Sequence, residues 1–237
     1  MPASVHESHA APLQGAARRP RVAVALLTVS LSYAALTAAY VVANSATPQP
    51  GTSGRDILLY VRDHGTAIDL GAFLLVVAAV LLVTVAATLA RLVRRGQSAG
   101  GSGAAATTAL AGGVLASGAL ASSAALSWTL GRLPEESPTA LARALADLSF
   151  LAGGLGYAVS FALLAAGTCL AARGSGLLPR ACTTTGLVIA AAGLAATLSL
   201  LVFGFSYLLP VVRFGGTAWL VWAAFALARP RPAASDA

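Results

Sequence analysis

Two long apolar runs joined by a short turn fill most of the second half of the chain. The first extends from Leu148 to Ala172 and the second ends at Leu209, and neither contains a charged residue. Each run is long enough to cross a hydrocarbon layer about 30 Å thick, because an α-helix rises about 1.5 Å per residue. Residues 174–180 between them read GSGLLPR, which is typical of a tight turn in water. The pattern predicts a transmembrane helical hairpin.

The rest of the sequence repeats this pattern of apolar runs separated by short polar segments. Hydrophobic residues make up 57% of the chain and charged residues 10%, which is too little polar surface for a soluble globule. We therefore predict an all-α fold, a polytopic transmembrane helical bundle over residues 22–229. Its six predicted spans cover about 22–43, 70–90, 104–130, 148–172, 182–203 and 211–228. Residues 1–21 and 230–237 are predicted to be cytoplasmic tails, the first of them disordered.

The arginines predict how the bundle is oriented. The chain has fifteen basic residues, all of them arginine, and ten lie on the face that holds both tails. The positive-inside rule then predicts that both chain ends are in the cytoplasm. The arginines occur in groups of one to three between apolar runs, which argues against a nucleic-acid-binding surface. The predicted partner is the lipid bilayer, with another membrane protein as a further possibility.

The composition also predicts which membrane holds the protein. Frequent alanine without any lysine is typical of a GC-rich bacterial sequence, so we predict a multi-pass protein of the bacterial inner (plasma) membrane. The first span follows three arginines and ends in Val41-Val-Ala43, which resembles a signal peptide. Its apolar run of about 22 residues is longer than the usual 7–15. A retained signal anchor is favoured, with cleavage as the alternative.

Small residues follow one face of the third, fourth and fifth predicted spans. The third span has Gly112, Ala116 and Ser123 at helical spacing, and Gly153 and Gly186 belong to similar faces of the next two. Lipid gives helices no hydrophobic reason to associate, so small side chains that allow close backbone approach indicate helix contacts. We expect these spans to pack together, with the third as a central helix.

Acidic residues gather at the predicted extracytoplasmic end, where Asp69 and Asp147 begin two spans. If the span ends converge, they form an outward-facing cavity suited to ligand binding or proton transfer. The candidate catalytic residues are Asp69, Asp147 and His64, and the candidate ligand-binding residues are Arg213, Trp128 and Tyr207. The alternative is that these residues serve as helix caps, exposed ion pairs and an interfacial aromatic belt, with Arg213 extending toward the headgroups.

No sequence signal identifies a reaction. No predicted span has an ionisable residue near its centre, although proton relays and ion-coupled carriers usually need one. The chain lacks the zinc-protease motif H-E-x-x-H and a paired-aspartate diphosphate motif. Cys169 and Cys182 have neither C-x-x-C spacing nor a histidine nearby, so they are interpreted as packing residues. We predict no cofactor and no metal site.

Three short segments resemble a known family. They are DILLYVRDHG at residues 56–65 followed by Leu70-Gly71, SGLLPR at residues 175–180, and WLVW at residues 219–222. In these segments and in its six-span layout the chain is similar to DUF4386, an uncharacterised bacterial membrane family. That family has tryptophan after the Pro-Arg pair, where this chain has Ala181. The resemblance implies a six-helix architecture and supplies no activity or catalytic residues.

Three functional interpretations follow. The favoured one is an integral inner-membrane protein of unknown activity, with an accessory or interaction role and no identifiable enzymatic activity. The second is a carrier of a small molecule or lipid that uses the outward-facing cavity. The third is an intramembrane enzyme that acts on a lipid or isoprenoid through Asp69, Asp147 and His64. Convergence of the candidate residues on a concave pocket favours the second and third, whereas separate positions favour the first.

Overall fold

The chain is built from helices throughout the part that the structure describes. A computed structural model describes residues 13–96, 103–173 and 175–229, with side chains from residue 22 onward. The helices are α1 (Leu13–Ala43), α2 (Gly54–Asp63), α3 (Gly65–Arg95), α4 (Ala104–Leu130), α5 (Thr139–Phe150), α6 (Tyr157–Ala172), α7 (Arg180–Ala195), α8 (Leu208–Pro210) and α9 (Gly216–Ala228). Because these ranges contain no strand, the predicted all-α fold is confirmed.

Four segments of irregular helix lie between these elements. Two are π-helical: the first π segment is Leu151–Gly156, between α5 and α6, and the second is Val211–Gly215, between α8 and α9. Two are 3₁₀-helical, Ala196–Leu200 after α7 and Phe203–Tyr207 before α8. Because successive spans alternate in direction, all four segments lie toward the same end of the bundle.

Six helices of the described ranges are long and apolar enough to cross a membrane, as predicted. They are Val22–Ala43, Gly65–Arg95, Ala104–Leu130, Thr139–Ala172, Arg180–Leu200 and Phe203–Ala228. The fourth span begins at Thr139 rather than near Leu148, because α5 continues through the first π segment into α6.

The N-terminal tail differs from its prediction over part of its length. Helix α1 begins at Leu13, so residues 13–21, predicted to be disordered, are helical. Alanine, arginine and glutamine in this stretch are good helix formers, and helix α1 begins nine residues before the first span. Residues 1–12 and 230–237, the rest of the predicted tails, lie outside the described residues.

The six spans pack in chain order as a ring that α1 and α9 close. Helix α1 packs against α3, α3 against α4, α4 against α6, α6 against α7, and α7 against α9, which returns to α1. The largest contacts join α4 to α3 and to α6. Helix α4 therefore has the most extensive packing in the bundle, as its small residues predict.

Glycines bring the backbones of α4 and α6 into contact. A methyl group added at Gly167 would lie 2.6 Å from the carbonyl oxygen of Ala105 and 2.9 Å from the Cα atom of Ala109. Around Gly112 the nearest atoms include the backbone nitrogen of Leu164. Because no larger side chain fits at these positions, the predicted packing of small-residue faces is confirmed here.

A small helical layer covers one end of the bundle. Helix α2 is capped by Ser53, whose hydroxyl accepts a hydrogen bond from the Asp56 backbone N–H at 3.2 Å. It packs on α5 and buries Ile57 and Val61 in a second hydrophobic core together with Ala142. The covering layer therefore has an apolar core of its own and does not fill the space between the spans below it.

Candidate functional site

A cavity of about 480 Å³ opens at the covered end of the bundle. Five of the six spans contribute to its wall, together with the segment after α1, whereas α7 does not. Its wall includes the apolar residues Ile57, Leu130, Phe150, Phe203, Leu209 and Phe214 and the polar residues Tyr40, Ser123, Ser127, Asp147, Ser149 and Arg213. The volume lies within the range of about 300–1,000 Å³ that is usual for small-molecule sites.

Arg213 places a cation in this cavity. Its Nη2 atom donates a hydrogen bond to the carbonyl oxygen of Gly153 at 2.6 Å. Its guanidinium carbon lies 5.0 Å from the ring centre of Tyr157 and 5.7 Å from that of Tyr40. Both distances are typical of cation–π contacts. One carbonyl oxygen and two aromatic faces therefore hold the guanidinium group at the cavity wall.

The first π segment explains why the Gly153 carbonyl oxygen meets Arg213. In a regular α-helix the N–H of Tyr157 would donate to Gly153. Here that N–H donates to the carbonyl oxygens of Ala152 and Gly154. The Gly153 oxygen accepts from Arg213, which lies in the middle of the second π segment. The two irregular segments thus meet at the cavity, and π-helical turns occur frequently at functional sites.

Three serine hydroxyls form a connected polar patch on the same wall. The Ser149 hydroxyl is 2.8 Å from that of Ser127 and 3.0 Å from that of Ser123. The Ser123 hydroxyl also donates to the Ser149 backbone carbonyl at 2.9 Å. These bonds join α4 to α5, and in a membrane such interhelical bonds replace the water that a hydroxyl would otherwise need.

An aromatic column continues from the cavity into the bundle. The buried hydroxyls of Tyr157 and Tyr33 are 2.9 Å apart. The Tyr157 ring packs on Phe161, with the centroids 5.5 Å apart, and Phe161 meets Trp219 edge-on at 6.3 Å. The Trp219 Nε1–H donates to the carbonyl oxygen of Cys182 at 2.9 Å. Buried contacts therefore fix the Tyr157 ring in the position where Arg213 meets it.

Three of the six candidate residues, Asp147, Tyr207 and Arg213, line the cavity. Asp147 is half-exposed and pairs with Arg143 at 3.4 Å, and Tyr207 is 77% exposed. Both therefore lie at the cavity mouth. Arg213 was a candidate ligand-binding residue, with extension toward the headgroups as the alternative. Its guanidinium group donates to the Gly153 carbonyl oxygen at the cavity wall.

The other three candidates lie outside the cavity wall. Asp69 forms an exposed ion pair with Arg132 at 3.4 Å, and the same guanidinium group lies 4.7 Å from the ring centre of Trp128. His64 stacks on Tyr60 with the ring centres 4.4 Å apart. The proposed catalytic residues therefore do not share one pocket. Within the described ranges, no group of three His, Cys, Asp or Glu side chains is placed to hold a metal ion.

Two aromatic residues of the site, Tyr40 and Tyr157, were not among the candidates. A signal was available, because a tyrosine inside an apolar span has a hydroxyl that needs a partner. Gly153 was identified only as a packing residue. Its contact with Arg213 depends on the π-helical turn, which has no recognisable sequence pattern.

Comparisons of the chain with family models, curated proteins and solved structures find no match. The resemblance to DUF4386 therefore stays a prediction.

Proposed function

We propose that this multi-pass membrane protein binds a small, largely apolar molecule in the cavity, as a carrier or as a ligand-binding accessory protein. The observation that carries the proposal is the cavity, about 480 Å³ of space bordered by five spans. Protein interiors are normally packed without voids of this size. An apolar wall with a few polar groups is the usual composition of a small-molecule site.

The proposal includes a location and an orientation. The protein lies in a bacterial plasma membrane with both chain ends in the cytoplasm, and the cavity opens on the opposite side. The support is the distribution of arginines: ten lie toward the face of the two tails and five toward the face of the cavity.

The enzymatic interpretation has less support. Asp147 lines the cavity but is already paired with Arg143, and Asp69 and His64 lie outside the wall. General acid–base catalysis needs its proton donor and acceptor within reach of one bound substrate. The separate positions of Asp69 and His64 agree with an accessory or interaction role, which stays a prediction because no feature of the described surface identifies a partner.

The experiment compares a cavity-filling variant with a matched surface variant. In Gly154→Leu the new side chain begins 3.2 Å from Leu209 and 3.9 Å from Phe150, two residues of the cavity wall. In Gly118→Leu it begins in open space, with nothing within 4 Å. Each protein, purified in maltoside detergent, is titrated with 1-dodecanol and followed by native mass spectrometry.

We expect a saturable one-to-one adduct in the wild type and in Gly118→Leu, and binding at least fivefold weaker in Gly154→Leu. Equal binding by all three proteins, or unsaturable multiple adducts in the wild type, would overturn the proposal. If Gly154→Leu does not purify as a single species, Ser206→Phe, at another residue of the cavity wall, replaces it under the same criterion.

A further inference from the structure

Arg213 is a cation inside the bundle that has no acidic partner among the residues the structure describes. The two ion pairs of these residues join Asp69 to Arg132 and Asp147 to Arg143. A charge removed from water is costly unless it is paired and hydrogen-bonded. Arg213 is half-buried at the wall of the cavity, and an arginine within a predicted membrane span points to a function.

The contacts of Arg213 leave room for an anion. A guanidinium group has five N–H donors in a planar fork. One hydrogen bond goes to the Gly153 carbonyl oxygen, and the rings of Tyr40 and Tyr157 contact the cation through their π faces. The π faces position the guanidinium group without neutralising its charge. A carboxylate or a phosphate matches the remaining donors, because both accept two parallel hydrogen bonds from arginine.

The nearest acidic residue of the cavity wall does not prevent an anion from binding. Asp147 lies six residues before Gly153 on the same continuous helix, which is about 9 Å along its axis. Its charge is compensated by Arg143 at 3.4 Å. An anion at Arg213 would therefore lie deeper in the bundle than this ion pair.

A second space, of about 260 Å³, continues the cavity toward the outside of the bundle. We call it the lateral cleft, and it shares five residues with the cavity: Pro50, Asp147, Phe150, Phe203 and Ser206. Its other residues include Leu151 and Leu200, apolar side chains of the fourth and fifth spans that are 40% and 65% exposed. An apolar chain bound in the cavity can therefore extend between the fourth and fifth spans into lipid.

We propose that the ligand is an amphiphile whose anionic group, a carboxylate or a phosphate, binds Arg213 while its apolar chain extends through the lateral cleft. This inference rests on the proposed function, since it assigns a ligand class to the same cavity. Arg213 accounts for the anionic group of the ligand, and the lateral cleft accounts for its apolar chain. A free inorganic anion would contact Arg213 but would not occupy the cleft.

The test compares probes that share one alkyl chain and differ in headgroup. Dodecyl phosphate, 1-dodecanol and dodecyltrimethylammonium are titrated against the wild type, and inorganic phosphate is used as a competitor. We expect the wild type to bind dodecyl phosphate at least tenfold more tightly than dodecanol, and dodecyltrimethylammonium more weakly than either. Inorganic phosphate at millimolar concentration should not displace dodecyl phosphate.

Two arginine variants test whether Arg213 causes the preference for dodecyl phosphate over dodecanol. In Arg213→Met we expect dodecyl phosphate and dodecanol to bind within twofold of each other, with the affinity for dodecanol retained. In Arg132→Met, which removes an exposed arginine of the same face, the tenfold preference should remain. If Arg213→Met does not fold, the titrations of the wild type with the three dodecyl probes still test the inference.

The outcomes separate this inference from the proposed function. Dodecanol binding without any preference for dodecyl phosphate would overturn the inference and leave the proposed function standing. Failure of every alkyl probe to bind would overturn both. Efficient displacement by inorganic phosphate would show that the site selects a free anion, and would overturn the assignment of an amphiphile.

Discussion

The fourth span packs against α4 through glycine at both ends, and only one of these contacts borders a cavity. Toward one end, Gly167 lies against the backbone of α4 at Ala105 and Ala109, and no space remains between the helices. Toward the other end, Gly153 gives its carbonyl oxygen to Arg213 beside a cavity of about 480 Å³. We call these the α4–α6 contact and the cavity end.

The difference lies in the regularity of the helix. At the α4–α6 contact both helices are regular, so their backbone groups bond internally and small side chains allow close approach. At the cavity end the chain passes through π and 3₁₀ turns, and a backbone oxygen bonds to a side chain from another span. Small residues therefore allow close packing at both ends, and the cavity lies at the end where the helices are irregular.

The largest effect is expected at the α4–α6 contact. Gly167→Leu would force a side chain against backbone atoms 2.6 to 2.9 Å from its Cβ, and backbone cannot move aside as a side-chain end can. Overpacking of this kind lowers the free energy of unfolding by about 1–3 kcal/mol, and we expect a loss at or above the upper end of this range. The measurement is the unfolding midpoint in a detergent titration followed by tryptophan fluorescence.

Gly118→Leu is the matched control, since it adds the same side chain to α4 where nothing lies within 4 Å. Its midpoint should equal that of the wild type. A Gly167→Leu protein as stable as this control would contradict the close contact between the two helices.

An intermediate effect is expected below the cavity. Tyr33→Phe removes one of two buried hydroxyls that are 2.9 Å apart and leaves the Tyr157 hydroxyl without this partner. We expect a loss of about 1 kcal/mol in the free energy of unfolding, in line with single interhelical hydrogen bonds in membranes. Dodecyl phosphate binding should weaken at the same time, because Tyr157 contacts Arg213.

Thr84→Val serves as the control for Tyr33→Phe. The Thr84 hydroxyl bonds only to the Val80 carbonyl of its own helix and is exposed on the outer surface. Equal destabilisation by the two changes would show that the tyrosine pair does not join the first span to the fourth.

The smallest effects are expected for the carboxylates of the covered end. Asp147→Asn removes the negative charge at the cavity mouth and should strengthen dodecyl phosphate binding by no more than threefold. Asp69→Asn removes an exposed charge outside the wall and should leave binding unchanged. Each change should alter stability by less than about 1 kcal/mol, the usual value of an exposed ion pair. Native mass spectrometry and the unfolding titration measure both quantities.

Loss of binding in Asp69→Asn, with folding intact, would contradict the separation of Asp69 from the cavity. It would restore the interpretation in which Asp69 and Asp147 act together. Thermal stability of the two variants distinguishes this result from simple unfolding.

The spans and their close contacts could be predicted from the sequence because hydropathy and residue size determine them directly. Uncharged runs such as 148–172 have no stable place outside a membrane, and Gly112 and Gly167 have small neighbours at helical spacing. These properties depend on the spans themselves and on their immediate neighbours.

The site was predictable only in part. The sequence gives the position of Asp69, Asp147 and Arg213 along the axis of each span. It does not give the direction in which each side chain points within the ring of helices. Asp69, a candidate for the cavity, instead forms an exposed ion pair with Arg132 outside the cavity wall, which was the alternative. The contact between Arg213 and Gly153 depends on two π turns in separate spans, and their meeting is a property of the assembled bundle.

The most direct test of the account is thiol labelling of the cavity from the outer side of the membrane. Ser206→Cys places a thiol where the cavity and the lateral cleft meet, and Ser117→Cys places one on a buried residue of α4. Right-side-out vesicles of a bacterial plasma membrane are treated with a membrane-impermeant methanethiosulfonate, with and without dodecyl phosphate. The wild type, whose Cys169 and Cys182 are buried, gives the background.

We expect Ser206→Cys to react in these vesicles and dodecyl phosphate to protect it. Ser117→Cys and the wild type should remain unlabelled. Labelling of Ser206→Cys only in inverted vesicles, or labelling that dodecyl phosphate does not slow, would contradict an outward-facing cavity that binds an anionic amphiphile.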